Sequence, residues 1–237
     1  MKQNGVDVSE YQGKIDFENV KESGIDFVML RLGYGKYEDQ KDRSFEQNYI
    51  GAKKAGLNVG AYHFSYASDK DAARREAEFV LKLLKDKQFE YPIAYNVECK
   101  NQERLGKEQL SEVVKTFCDT LREHGYYVCV YVNLHFLNNC LTDEIKTKYP
   151  IWLAQWSRQP TYNGVFEMWQ KSATATVPGI FGAVDYDISY VDYYNLIRAK
   201  GLNGFQPEPQ VEDYWYSFPK TFIDVLLSFV KKLFKRQ

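Results

Sequence analysis

Tyr91-Pro92-Ile93-Ala94-Tyr95-Asn96-Val97-Glu98 is the stretch on which the reading of this chain turns. It is an apolar strand pattern that ends in two polar side chains two positions apart. Side chains alternate along a strand, so Asn96 and Glu98 share a face. A carboxylate and an amide at the end of an apolar strand are costly to bury without partners. Alone, the pair reads as a hydrogen-bonded strand end. The rest of the chain makes it part of a site.

Outward from this stretch one pattern repeats, strand then helix. Gly5-Val6-Asp7-Val8 predicts a strand, and a helix near Asp16–Ser23 stops at Gly24. Phe27–Leu32 predicts a second strand, leading into Gly33-Tyr34-Gly35. A helix over about Ser44–Ala55 has Ser44 as N-cap and Gly56 as its stop. Asn58–Phe64 is the third strand and Asp69–Leu84 the next helix. The fourth strand carries Asn96 and Glu98. A helix near Lys107–His124 leads to the fifth strand, Tyr127–Val132. Beyond it helices become short or absent. Ile151–Gln155, Phe166–Gln170 and Ala183–Asp185 are three further strand candidates, and a last helix covers about Val191–Ala199.

Eight short strands, the first five followed by helices, predict an α/β fold closed into a parallel-type barrel. In such barrels the active site lies at the C-terminal ends of the strands. The polar residues there are Asp7, Arg31 with Tyr34, Tyr62 with His63, Asn96 with Glu98, Tyr131 with Asn133, Gln155, Gln170, and Asp185 with Asp187. Asp7, Glu98 and Asp185 come from the first, fourth and eighth strands and can meet over the barrel mouth.

Composition sets the outer bounds. The 237 residues are 44% hydrophobic and 16% aromatic, enough for a large core and too much for disorder over most of the chain. A net charge of −1 gives no global pull toward nucleic acid. Nineteen Tyr and four Trp suit a carbohydrate cleft as well as core packing. Cys99, Cys118, Cys129 and Cys140 form no C-x-x-C pair, and His63, His124 and His135 form no ligand pattern. No metal site is therefore expected, and the cysteines read as free and buried. Met1–Gly5 runs straight into a strand with no apolar signal-peptide core. The expectation is synthesis in the cytoplasm, or a leader already trimmed.

Several blocks in order resemble the family 25 glycoside hydrolases, the Chalaropsis-type muramidases. Gly5-Val6-Asp7-Val8-Ser9-x-Tyr11-Gln12-Gly13 resembles the family's opening signature. Gly24-Ile25-Asp26-Phe27-Val28 and Arg31-x-Gly33-Tyr34-Gly35 continue it. Asp42, Phe45, Asn48, Ala55-Gly56-Leu57 and Val59-Gly60-x-Tyr62-His63-Phe64-Ser65-Tyr66 match the next block. Tyr91-Pro92 leads into its D-x-E strand, and Ile151–Gln155, Met168-Trp169-Gln170 and Val184-Asp185 match its closing strands.

The resemblance spans roughly residues 4–200. It implies a TIM-like (β/α) barrel with five β/α units and three further strands. It also implies hydrolysis of the β-1,4 bond between N-acetylmuramic acid and N-acetylglucosamine in bacterial cell-wall peptidoglycan, with no cofactor. The catalytic set falls on Glu98, Asp7, Asp185 and Asn96, with Glu98 as general acid. Tyr62, Tyr34, Tyr131, Trp152, Gln170 and Arg31 are the expected substrate-binding residues, and Trp169 is a further candidate wall. His63 is expected to be a hydrogen-bonded wall residue and Arg31 to pair with one of the acids.

One departure stands out: the family has aspartate where this chain has Asn96. Glycoside cleavage needs a proton for the leaving oxygen and stabilisation of a cationic sugar. Burial and nearby negative charge keep an acid protonated. In the substrate-assisted route proposed for the family, the missing aspartate would orient the acetamido N–H and balance its growing charge. Asn96 keeps the shape and can accept that N–H, but supplies no charge. Slowed cleavage follows; the alternative is a non-catalytic peptidoglycan-binding pseudoenzyme. The departure itself fits natural divergence, deliberate inactivation, or a role taken over by Asp7 or Asp185. Asp187, where the family usually has Asn, can supply a nearby charge. A phosphate-binding barrel enzyme is disfavoured, because no glycine-rich loop precedes the last helix.

The barrel domain is expected over residues 1–203, followed by a linker with an aromatic cluster over 204–219. Residues 220–237 then read as a basic amphipathic helix carrying +4 (Lys220, Lys231, Lys232, Lys235 and Arg236, less Asp224). At about 100° per residue, Phe222, Leu226, Phe229, Val230 and Leu233 fall opposite Asp224, Ser228 and the lysines. Such a helix is too short and charged to span a bilayer. It suits contact with a membrane surface or an anionic wall, or packing on the barrel or a second copy. The absent leader and basic tail fit a phage endolysin, released to act at the wall, better than a bacterium's own remodelling enzyme.

Overall fold

Eight short strands close edge to edge, each hydrogen-bonded to a neighbour on both sides. The computed structural model describes residues 2–207. The strands are β1 (Gln3–Val8), β2 (Phe27–Tyr34), β3 (Asn58–Phe64), β4 (Ile93–Asn96), β5 (Val128–Asn133), β6 (Ile151–Ala154), β7 (Met168–Ala175) and β8 (Val184–Ser189). They hydrogen-bond in sequence order into a closed barrel. The helices are α1 (Phe17–Glu22), α2 (Phe45–Lys54), α3 (Lys70–Leu84), α4 (Lys107–Glu123), α5 (Leu134–Asn139), α6 (Asp143–Lys148) and α7 (Tyr193–Ala199). This is the TIM-like α/β barrel that the resemblance implied, with helices after each of the first five strands.

Direction is where the sequence reading needs correction. β1 through β7 pair in parallel, but β8 is antiparallel to both β7 and β1. Only residues 176–183 separate β7 from β8, and a parallel crossover needs roughly a dozen residues or more. The reversed strand still closes the ring. Its start, rather than its end, lies at the barrel mouth, and Asp7 pairs in register with Asp185. Its end lies at the other face, where α7 plugs the barrel: the Tyr193 ring sits edge-on to Tyr91 at 5.3 Å, and Ile197 joins the same cluster.

Alternation sorts the side chains. Val28, Leu30, Val59, Ala61, Tyr95, Val130 and Leu153 point outward into the core shared with the helices. Phe27, Met29, Ala94, Cys129, Trp152 and Met168 fill the inside. The helices carry their own signals. Asp16 and Asp69 cap α1 and α3 through Asn19 N–H and Ala72 N–H. Ser44 holds the N-cap position of α2 but makes no side-chain cap; Asp42 Oδ1 instead accepts the Ser44 N–H at 2.9 Å. β4 is shorter than expected, ending at Asn96 rather than Glu98. The four cysteines are free. Among the described residues no helix is long and apolar enough to cross a membrane.

One compact unit covers residues 1–206. The amphipathic helix expected over 220–237, and all of the expected 204–219 linker beyond residue 207, lie outside the described residues.

The filled interior makes a sharp demand at Gly60. A Cβ there would overlap Met29 Sδ and the Cβ of Tyr91. Gly60→Ala is therefore expected to destabilise the barrel by about 1–3 kcal/mol. Urea unfolding of the two proteins checks this, and an unchanged midpoint would contradict the packing.

Candidate active site

Toward the mouth the inward-facing positions turn from apolar to polar. Asp7, Tyr62, Asn96, Tyr131, Gln170 and Asp185 line a cavity of about 450 Å³ together with Glu98, Arg31 and Trp152. Seven strands, all but β6, thus contribute a polar residue to the mouth. A larger groove of about 790 Å³ opens at the opposite end, around Tyr127, Lys148, Tyr149 and Glu167. It lacks a comparable group of acids, so the mouth is the place for chemistry.

Glu98 follows β4, half-buried, and its Oε1 accepts a hydrogen bond from Asn96 Nδ2 at 3.2 Å. The two side chains therefore do meet on one face. Asn96 Oδ1 is buried without a donor. Val97 N–H donates to the Tyr131 carbonyl at 3.0 Å and carries the pairing one residue past the strand end. The next turn is held from behind. Gln102 Nε2 donates to Ser65 Oγ at 2.8 Å, Ser65 Oγ donates to Tyr95 OH at 2.7 Å, and Tyr95 OH donates to Glu76 Oε2 at 2.7 Å. This buried chain ties α3 and the loop after β3 to the segment bearing Glu98.

Across the cavity, Gln170 Nε2 donates to Asp7 Oδ2 at 2.7 Å, and Gln170 Oε1 accepts from Tyr131 OH at 2.9 Å and Trp156 Nε1 at 3.0 Å. Trp152 Nε1 donates to Asp187 Oδ1 at 2.9 Å. Burial, then the charges of Asp187 and Asp185, hold the Asp7 carboxyl well above the usual range, against the lowering Gln170 bond. Burial raises Asp187 in the same way. Asp185 is pushed up to about 6, by burial first and the Glu98 charge second. Burial also raises Glu98, but the Asn96 amide pulls it back by favouring the carboxylate.

Several expected residues take other partners or places. Arg31 lines the cavity but pairs with Asp42 (2.7 Å) and Glu10 (3.0 Å), not with the inner acids. Tyr34 is off the cavity wall, edge-on to Tyr66 at 6.0 Å. Trp152 is only 1% exposed, so it forms the wall beneath Tyr62 and Tyr131 rather than a stacking face. Trp169 points into the outer core and donates to the Gln155 carbonyl at 2.8 Å. His63 faces outward, between the rings of Phe79 and Phe117. Its ring nitrogens make no hydrogen bond of ordinary geometry; the polar groups they face are the Gly35 backbone and Glu76 Oε2, 4.0 Å from Nε2. Burial holds it down to about 3, so it stays neutral. Two wall residues that sequence reasoning missed are Tyr11 and Trp156, 80% and 67% exposed. Both sit in loops just past strand ends, where no periodicity marks them.

Residues 6–180 match the Glycosyl hydrolases family 25 sequence family. The chain belongs to that family. It is 32% identical over 185 residues to an autolytic lysozyme of Clostridium acetobutylicum, which covers 77% of this chain and 54% of that protein. It is 28% identical over 207 residues to lysozyme M1 of Streptomyces globisporus, covering 76% of this chain and 65% of that one. The chain therefore spans about half to two-thirds of the length of these relatives. Among solved structures, the bacterial lysozyme from Streptomyces coelicolor superposes with a TM-score of 0.74 at 25% identity, over 86% of this chain and 98% of that one. The family 25 barrel thus frames the acid-lined mouth described above.

The charge coupling across the mouth is directly observable. Asp185 is expected to titrate near 6, and Glu98→Gln to lower that midpoint part of the way toward an ordinary aspartate, burial remaining. Carboxyl 13C NMR across pH 3–8 reads it, and an unmoved midpoint would contradict the coupling.

Proposed function

We propose that this family 25 chain is a peptidoglycan hydrolase. It would cleave the β-1,4 bond between N-acetylmuramic acid and N-acetylglucosamine, with Glu98 as general acid. The convergence of Glu98, Asp7 and Asp185 on one cavity at the strand ends supports this reading most directly. Glu98 reaches the cavity from the β4 side, and Asp7 and Asp185 reach it from the β1–β8 seam. A sugar held between them meets a proton donor on one side and negative charge on the other, as an oxocarbenium-like transition state requires. Tyr62, Tyr131, Tyr11 and Trp156 supply ring surfaces along the walls for glycan contact.

The Asn96 bond bears on rate. A general acid must be protonated when the glycosidic oxygen needs its proton. Asn96 donates an N–H into the Glu98 carboxylate, which favours the ionised form. An aspartate there would repel that charge and raise Glu98 instead. Asn96 also offers its unpartnered Oδ1 as an acceptor for the acetamido N–H of a bound sugar, without the charge to balance it. Both effects slow the same step. The same bond favours a second reading, a glycan-binding pseudoenzyme that uses this cleft without turnover.

Asn96→Asp is accordingly expected to raise turnover by about 100- to 1,000-fold, the usual worth of one preorganised electrostatic contact. Adding Glu98→Gln to that variant should abolish it. Muropeptide release from purified walls measures both. Equal rates from the native chain and the Asn96→Asp variant would sink the proposed handicap, and binding without release by either protein would favour the pseudoenzyme.

A further inference from the structure

Asp187 is the one acid of the mouth that the proposed reaction leaves without a task, and its setting is unusual. The side chain is fully buried. Its Oδ1 accepts the indole N–H of Trp152 at 2.9 Å, and its Oδ2 has no donor at all. Asp187 stands across from Gly5 on β1 and Gln170 on β7, and Gln170 Nε2 bonds Asp7, so the Asp187 and Asp7 carboxyls come within hydrogen-bonding reach. The half-buried Asp185 reaches Asp7 from its other side. Asp7 is 5% exposed, and its Oδ2 is taken by Gln170 Nε2. Two buried carboxyls therefore face each other with one neutral donor apiece.

The surrounding charges do not relieve them. Asp185 lies beside Asp7 in register on the neighbouring strand. Glu98, Tyr62 and Tyr131 face the same space and can only add negative charge on titrating. Arg31 is the cation on that wall, and its guanidinium is engaged by Asp42 and Glu10. Two ionised carboxylates at hydrogen-bonding distance in such a site repel strongly, whereas one proton between them converts an acceptor–acceptor clash into a hydrogen bond.

We propose that Asp187 is a positioning residue of the cleft, its carboxyl sharing a single proton with that of Asp7. The shared proton fixes the Asp7 carboxyl between Gln170 and Asp187. It limits the pair to one negative charge, and it leaves Asp185 as the titrating acid opposite Glu98. The role rests on the hydrolase reading for its consequence in catalysis, but the proton itself can be detected without any turnover.

In the native protein, 13C-labelled aspartate carboxyls are expected to show one of the pair still protonated at neutral pH. Asp187→Asn keeps an acceptor for Trp152 and offers an amide N–H to Asp7, so it should remove that high-pH titration while preserving the geometry. Asp7→Asn should remove it from the other side.

A second readout follows from linkage. A proton held by the folded state but released on unfolding makes stability fall as pH rises above the ordinary aspartate range. The fall amounts to about tenfold in the unfolding equilibrium constant per pH unit for one proton. That slope, followed by urea unfolding between pH 5 and 8, should be shallower by up to this amount in Asp187→Asn. A purely structural aspartate would change the midpoint but leave the slope alone. Both carboxyls titrating below pH 5 in the native protein would overturn the proposal, whether or not the variants fold. Persistence of the high titration in a folded Asp187→Asn would do the same. Loss of the titration in a chain that releases no muropeptide would uphold the shared proton and count against the hydrolase reading alone.

Discussion

The bond between Arg31 and Asp42 occupies the cation that lines the mouth. Arg31 Nε meets Asp42 Oδ2 at 2.7 Å, and that carboxylate is tied further to the Glu10 and Ser44 backbone N–H groups. The cation on the cavity wall is thereby committed to the loops after β1 and β2. Asp7, Asp185, Asp187 and Glu98 are left to burial and to one another, and every one of them is raised above its ordinary value. A free arginine in the same place would lower them all. Burial, the first cause at all four carboxyls, is offset by no cation there.

Closure of the barrel supplies the second constraint. Because the short β7–β8 connection reverses the last strand, Asp185 and Asp187 come from its first residues and still arrive at the mouth. The register places Asp185 across from Asp7, and Trp152 and Gln170 reach over from β6 and β7 to hold Asp187 and Asp7. On the other side, Glu98 sits beyond the last residue of β4, held by Val97, Asn96 and the buried Gln102–Ser65–Tyr95–Glu76 chain. The β1–β8 seam carries the aspartates, and the braced turn carries Glu98.

Much of this is legible in the amino-acid sequence because periodicity writes it plainly. Short apolar runs at Phe27–Leu32 and Tyr127–Val132, with glycines after the helices, mark strands and stops, and side chains within each strand follow the two-residue alternation. The inward positions Asp7, Tyr62, Asn96, Tyr131 and Gln170 follow from it. What alternation does not encode is direction, so β8 reads as parallel unless the length of the connection before it is weighed. With Tyr62 and Gln170 inward, the same alternation sends their neighbours His63 and Trp169 outward into apolar layers. Arg31 finds its partners in Asp42 and Glu10, which lie in loops with no periodic signal. Tyr11 and Trp156 belong to loops too, and their place on the wall depends on tertiary structure alone.

Glu98 and Asn96 remain the centre of the functional reading: one positioned to give a proton, the other biasing it toward having none to give. The chemical identity of the bond they act on is the most direct question. Digesting purified peptidoglycan with this chain carrying Asn96→Asp, then reducing the products with borohydride and identifying the new chain ends by mass spectrometry, answers it. Muramidase action at this cleft predicts reduced N-acetylmuramic acid at every new end. New ends on N-acetylglucosamine, or on peptide stems with the glycan intact, would contradict it.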